Sequence, residues 1–122
     1  MNTRGYLAAF DRRLQKFAGI IARSSIQREI DANLGVGFIA GRITFVDGSV
    51  LEFSEQLPMT RCKFRIHYMD ASANLIVRWD SAPHHQTLAT FPFHKHTPQG
   101  IEAYRAITLL EALDEIIKGL QA

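Results

Sequence analysis

The chain has 122 residues, of which 47% are apolar and 21% charged, with a formal net charge of +2. This length fits one domain of ordinary size, and this composition excludes a disordered chain. A single cysteine excludes an internal disulfide, and no stretch approaches the roughly 20 apolar residues of a membrane-spanning helix. We therefore expect a single cytoplasmic domain over residues 1–122, with no membrane segment.

The first predicted element is a helix over residues 4–23, where apolar side chains recur every three or four positions. Basic residues outnumber acidic ones over residues 1–31, and the order is reversed over residues 101–122. We interpret these charges as solvated helix faces, with a docking surface for an anionic partner as the alternative. From Ile26 the apolar period changes to two, which is compatible with a short edge strand.

Four β-rich runs follow in the middle of the chain. Phe38–Val46 and Ser49–Glu55 flank the dipeptide Asp47-Gly48, which favours a hairpin whose two central turn residues both have positive φ. Arg61–Tyr68 and Leu75–Asp80 alternate apolar and polar side chains, as strands with one buried face do. The short connections between these runs indicate an antiparallel meander.

A C-terminal helix is predicted from a capping box, in which Thr108 and Glu111 satisfy each other's free backbone amides. An apolar stripe follows these residues and is suited to packing on the sheet. We therefore predict an α+β fold, in which an antiparallel sheet of four to five strands is flanked by an N-terminal and a C-terminal helix.

The segment from Ala82 to Gly100 has no helical period and is predicted to be an irregular loop. Loops of this length in small domains tend to be functional or disordered, and the apolar Phe91 and Phe93 favour an ordered one. Four of the five histidines lie in this loop, and the fifth lies on the basic face of a preceding strand. The loop histidines are His84, His85, His94 and His96.

Two interpretations of these histidines need no metal. They can be turn and surface residues that hold the loop in place by hydrogen bonding. They can instead share general acid and general base roles in the metal-independent cleavage of RNA, for which imidazole is suited near neutral pH. That chemistry also needs a cation to hold the phosphate, and Arg65, Arg78 and Lys95 are the candidates.

A third interpretation is a metal site. His94-x-His96 on an extended segment places both imidazoles on one side of the chain, where Asp80 or His84 can complete a ligand set. Alternatively, Asp80 caps a turn or orients His84 or His85. Because the histidine spacing is far less specific than paired Cys-x-x-Cys motifs, the sequence predicts neither a metal nor another cofactor.

The strand over Arg61–Tyr68 has one basic face. Such a face can simply keep an exposed strand soluble, or it can contact RNA together with the neighbouring histidines and Trp79. Cys62 lies on the other, apolar face and is predicted to pack rather than to react. The basic face comprises Arg61, Lys63, Arg65 and His67.

Three motifs stand out in this region. The first is Arg65-Ile66-His67-Tyr68, the second runs from Arg78-Trp79-Asp80 to His84-His85, and the third is Thr90-Phe91-Pro92-Phe93-His94-Lys95-His96. Together they resemble the motifs of the TumE family of toxin–antitoxin proteins. The family pattern has asparagine where Ser81 stands and histidine where Phe93 stands. The second departure weighs against any mechanism that needs a histidine at that position. The resemblance covers most of the chain from about Ser24 onward.

The resemblance implies a bacterial or archaeal toxin that impairs translation or acts on RNA, with a small helix-turn-helix antitoxin of the Xre type as its partner. A non-catalytic RNA- or protein-binding module, or a metal-binding domain that uses the same histidines, is the alternative. The candidates for acid–base chemistry are His84, His85, His94 and His96, with Asp80 to orient a histidine. The candidates for phosphate or RNA contact are Arg65, His67, Arg78 and Lys95.

Overall fold

The computed structural model describes residues 1–58, 63–83, 85 and 87–121. Within these residues, two helices precede and follow seven strands. Helix α1 spans Thr3–Lys16, a 3-10 turn spans Ala18–Ile20, and helix α2 spans Leu109–Leu120. The strands are β1 Ile21–Asp31, β2 Val36–Phe45, β3 Val50–Leu57, β4 Phe64–Met69, β5 Leu75–Asp80, β6 His94–Thr97 and β7 Gly100–Ala103.

The strands form one antiparallel sheet, and each strand pairs with its neighbours in sequence from β1 at one edge to β7 at the other. Both helices pack on the same face of the sheet, where Phe10 of α1 and Leu113 of α2 are fully buried in the apolar core. The opposite face, here called the open face, carries no helix in the described part of the chain. The predicted α+β class with terminal helices is confirmed, and the sheet is larger than the predicted four to five strands.

The N-terminal helix is shorter than predicted. It begins after Asn2, whose side chain accepts a hydrogen bond from the Gly5 amide, and it ends at Lys16 rather than near residue 23. The chain then pairs with β2 from Ile21 onward, so β1 is a long edge strand rather than the short one expected from Ile26. The apolar stripe did not reveal this boundary because Phe17 and Ile21 still pack against the core from their positions beyond the helix.

The predicted hairpin between β2 and β3 is confirmed, but its turn differs in detail. Gly48 has a positive φ of 88°, whereas Asp47 does not. The turn is closed by a hydrogen bond from the Gly48 amide to the Phe45 carbonyl, and the Asp47 carboxylate accepts one from the Ser49 amide. A longer hairpin loop that ends on a left-handed glycine therefore replaces the expected two-residue turn.

The prediction of an irregular loop up to Gly100 is wrong for its last part, because the chain from His94 onward forms the hairpin of β6 and β7. Strand β6 pairs with β5 on one side and with β7 on the other, and Gly100 begins β7 with a φ of 132°. Residues 81–93 remain without helix or strand where they are described. His94 and His96 therefore lie on a strand rather than in a loop.

Helix α2 begins with the predicted capping box, which is confirmed by hydrogen bonds in both directions between Thr108 and Glu111. An ion pair of 3.0 Å joins Arg13 of α1 to Asp114 of α2, so the basic first helix is partly neutralised by the acidic last one. Among the residues that the structure describes, no helix has the length and apolar character needed to cross a membrane.

Candidate functional site

The register of the sheet brings most of the predicted site residues into two rows on the open face. Directly paired residues of neighbouring strands share a face, whereas the residues between them point to the other side. Here the intervening Ile66 and Trp79 are buried in the core, which leaves the polar side chains on the open face. The first row is Arg65, Asp80 and His94, and the second row is His67, Arg78 and His96.

Asp80 and His94 form the centre of this site. His94 is only 3% exposed and Asp80 only 6%, so their interaction is largely removed from water. The His94 Nε2 lies 2.7 Å from the Asp80 Oδ1, and the His94 Nδ1 donates a hydrogen bond of 3.0 Å to the Pro92 carbonyl. Asp80 also accepts a hydrogen bond from the Ala82 amide, which fixes the carboxylate at the end of β5. The carboxylate thus orients His94, whereas the sequence suggested His84 or His85.

Arg78 and His96 flank the carboxylate. The Arg78 Nε lies 3.3 Å from the Asp80 Oδ2, at ion-pair distance, and its N–H makes no hydrogen bond to the described residues. The His96 Nε2 lies 3.6 Å from the same oxygen. One Arg78 terminal nitrogen is 3.4 Å from the His96 Nδ1. Burial lowers the pKa of His96, and the positive charge of Arg78 lowers it further. Both effects favour the neutral form of the His96 imidazole.

His85 completes a cluster of three imidazoles from outside the sheet. Its ring centroid lies 4.9 Å from that of His94 and 5.9 Å from that of His96, and the last two are 4.7 Å apart. Thr90 holds the same loop near β6 and β7, because its hydroxyl donates to the Phe93 carbonyl and accepts from the Tyr104 amide. We call His85, His94 and His96 the histidine cluster.

A groove of about 520 Å³ opens beside the histidine cluster. Arg78 and Asp80 form part of its wall, and Lys63 and Arg65 add two exposed cations. Within the described ranges neither of these two cations is ion-paired. His67 lies next to Arg65 and Arg78, and burial followed by the charges of these two arginines lowers its pKa. The groove therefore carries three cationic side chains, Lys63, Arg65 and Arg78, and is bordered by the histidine cluster.

Other residues singled out from the sequence lie elsewhere. Lys95 is on the helix-covered face, where its ammonium group lies 4.9 Å from the Tyr104 ring centroid and 5.8 Å from that of Trp79. Trp79 is 2% exposed and belongs to the core, so it offers no stacking surface on the open face. The predictions for Arg61, Cys62 and His84 fall outside the described residues.

The two departures from the TumE pattern have simple structural roles. Phe93 precedes β6 and stacks on Phe64 with ring centroids 6.0 Å apart, so this position packs against the core rather than facing the histidine cluster. The Ser81 hydroxyl accepts a hydrogen bond from the Phe64 amide and thereby holds the start of β4 to the end of β5. Neither departure removes a group from the cluster.

Comparison with known proteins supports the resemblance. No curated protein and no solved structure matches the chain. The model of a protein family described as Toxin TumE does match, over residues 10–122, which is nearly the whole chain and includes every strand, α2 and the histidine cluster. The chain belongs to the TumE toxin family.

Proposed function

We propose that this toxin component of a toxin–antitoxin system impairs translation by cleaving RNA bound along the open face. The observation that carries the proposal is the convergence of three imidazoles beside Arg78 at the edge of a basic groove. RNA offers one phosphate per nucleotide, and arginine binds phosphate through several N–H groups in a fixed geometry. The cluster and the groove together supply proton-exchanging groups and phosphate-binding groups within one surface.

The reaction that suits these groups is attack of a ribose 2′-oxygen on the adjacent phosphorus. One imidazole accepts the proton of the 2′-hydroxyl as the new P–O bond forms, and a second imidazole donates a proton to the 5′-oxygen as the old P–O bond breaks. The products are a 2′,3′-cyclic phosphate and a 5′-hydroxyl, so atoms and charges balance without a co-reactant. Arg78 is placed to neutralise charge on the phosphate during this step.

Within this proposal the contacts differ between the histidines. His94 is held on both ring nitrogens, by Asp80 and by the Pro92 carbonyl, which fixes its orientation. His96 lies beside Arg78 and, among the residues that the structure describes, is not clamped on both ring nitrogens in this way; His85 approaches from the loop. We assign proton exchange with RNA to the histidine cluster as a unit and assign phosphate binding to Arg65 and Arg78.

The phosphate-binding assignment predicts a change in RNA affinity and in its salt dependence. The double variant Arg65→Ala/Arg78→Ala is expected to bind a 2′-O-methyl RNA oligonucleotide at least 10-fold more weakly. The slope of the logarithm of the binding constant against the logarithm of the salt concentration is expected to become shallower by about 1.4, since each single-strand phosphate contact contributes about 0.7. Fluorescence anisotropy at several salt concentrations measures both quantities, and 2′-O-methylation keeps the oligonucleotide intact.

Arg12→Ala is the matched control, because this exposed arginine of α1 lies away from the open face. It is expected to leave the affinity within a factor of two. Equal losses in the control and in the double variant contradict a defined site on the open face. Loss of binding in the double variant combined with full toxicity of histidine variants indicates the alternative function, which is a non-catalytic RNA-binding module.

We further propose that the toxin acts in the cytoplasm and is neutralised by a helix-turn-helix antitoxin of the Xre type. Membership of the family supports an antitoxin in general. Co-expression with the product of an adjacent helix-turn-helix gene is expected to restore growth and to yield a complex in size-exclusion chromatography.

A further inference from the structure

The histidine cluster has the composition and spacing of a metal site as well as of an acid–base site. A ring nitrogen of each of His85, His94 and His96 lies within 4.8 Å of the other two. Four ligand atoms around a tetrahedral Zn²⁺ ion are about 3.3 Å apart, since each metal–ligand bond is about 2.0–2.1 Å long. The three imidazoles therefore need to approach one another by at most about 1.5 Å, and His85 lies outside the sheet.

The hydrogen bonding of His94 supports this inference independently of the spacing. Its Nδ1 faces the Pro92 carbonyl, which is an acceptor, so Nδ1 carries a hydrogen. In the neutral imidazole the lone pair of Nε2 then faces the Asp80 Oδ1 at 2.7 Å, and two lone pairs at this distance must share a cation. A metal ion bound by both atoms is one such cation, and the two atoms then separate to about 3.3 Å.

The contacts around His94 are also those that fix a metal-binding histidine in other proteins. Such a histidine donates its second N–H to a backbone carbonyl or a carboxylate, which sets its tautomer and its orientation. The Pro92 carbonyl has this role here. Asp80 contacts both His94 and His96 and so stands where a fourth, oxygen ligand is needed.

We propose that His85, His94 and His96, together with Asp80, bind one Zn²⁺ ion. Three nitrogen ligands and one carboxylate oxygen form a ligand set that Zn²⁺ prefers in a tetrahedral site. Arg78 is the competing cation, because it lies at ion-pair distance from the carboxylate that the metal uses. The zinc ion and the guanidinium group therefore compete for Asp80.

Zinc binding has a consequence for the proposed RNA cleavage, although the zinc site does not depend on it. A nitrogen lone pair that binds zinc cannot accept a proton, so the zinc-bound protein is expected to be inactive. Zinc then acts as an inhibitor that occupies the cluster, and the metal-free protein is the active form. Zinc binding is measured without RNA, so failure of one proposal leaves the other intact.

The test is a titration of the full chain, freed of metal by a chelator that is then removed, with Zn²⁺ against a competing chelating dye. The expected result is saturable binding of one ion per chain, and a loss of affinity of at least 10-fold in His85→Ala and in His94→Ala. Asp80→Asn is expected to weaken binding by roughly 10–100-fold. Arg78→Gln is expected to strengthen binding, because it removes the competing cation, and a purely structural role for these residues does not predict this gain.

A second measurement on the unaltered chain does not depend on the folding of variants. Cobalt(II) in place of zinc is expected to give the intense visible absorption of a tetrahedral site, and zinc is expected to displace it. Absence of saturable one-to-one zinc binding, or a cobalt spectrum typical of six oxygen ligands, overturns the proposal. Zinc affinity that is unchanged in both His85→Ala and His94→Ala overturns it as well.

Discussion

His94→Ala is expected to abolish growth arrest after induced expression and to slow RNA cleavage by roughly 10²–10⁴-fold, the range that one positioned acid or base supplies. The reason is that this imidazole is buried and held on both nitrogens between Asp80 and the Pro92 carbonyl, so its loss displaces Asp80 and the neighbouring imidazoles and with them the acid–base function of the whole cluster. The measurements are colony growth under induction and the cleavage rate of a labelled RNA, with soluble protein and melting temperature compared between variants.

Thr97→Ala is the control for this prediction, since Thr97 lies on the same short strand but its side chain points to the other face. It is expected to remain toxic. Full toxicity of a well-folded His94→Ala variant contradicts a reactive role for the cluster and favours the interpretation that its histidines only hold the structure together.

Glu55→Ala is expected to lower the free energy of unfolding by roughly 2–4 kcal/mol, because two buried donors lose their acceptor. Glu55 is 1% exposed on the core face of β3. Its carboxylate accepts a hydrogen bond of 2.6 Å from the Tyr6 hydroxyl and one of 2.9 Å from the Leu109 amide. It therefore connects α1, the sheet and the first turn of α2. Urea denaturation of wild type and variant measures the difference.

Glu55→Gln keeps one hydrogen-bond acceptor and does not titrate. It is expected to lower the free energy of unfolding by less than Glu55→Ala, and its comparison with wild type is expected to show a pH dependence. Burial raises the pKa of Glu55 in the folded protein above its ordinary value. Glu55 therefore binds its proton more tightly in the folded state than in the unfolded state. The resulting stabilisation is fully present below the unfolded pKa of about 4.3 and is lost as the pH rises through the higher pKa of the folded state. The stability of wild type minus that of Glu55→Gln should fall with rising pH, and a difference that rises contradicts the raised pKa.

The parts of the fold that follow simple apolar patterns were predictable from the sequence. Leu75–Asp80 matches β5 residue for residue, and the capping box marks the start of α2. Strand β6 was not predictable, because its four residues are polar and Lys95 stands where the pattern of a half-buried strand expects an apolar side chain. The Lys95 ammonium group lies over the rings of Trp79 and Tyr104, and this cation–π contact takes the place of an apolar one.

The candidate site was predictable in composition but not in arrangement. The sequence placed the histidines near Arg65 and Arg78, yet only the pairing of β4, β5 and β6 determines that Asp80 faces His94 and that Lys95 faces away. Such cross-strand contacts depend on register, which no single run of residues contains. Glu55 did leave a signal, since it is an acidic residue at an inward position of an alternating strand.

The most direct test asks whether the histidine cluster cleaves RNA without a metal. Purified protein is incubated with RNA in the presence of a chelator, and the ends of the RNA chains are identified chemically. We expect 2′,3′-cyclic phosphate and 5′-hydroxyl ends with wild type and intact RNA with His94→Ala. Intact RNA in both samples, or cleavage by wild type that disappears when the chelator is added, contradicts it.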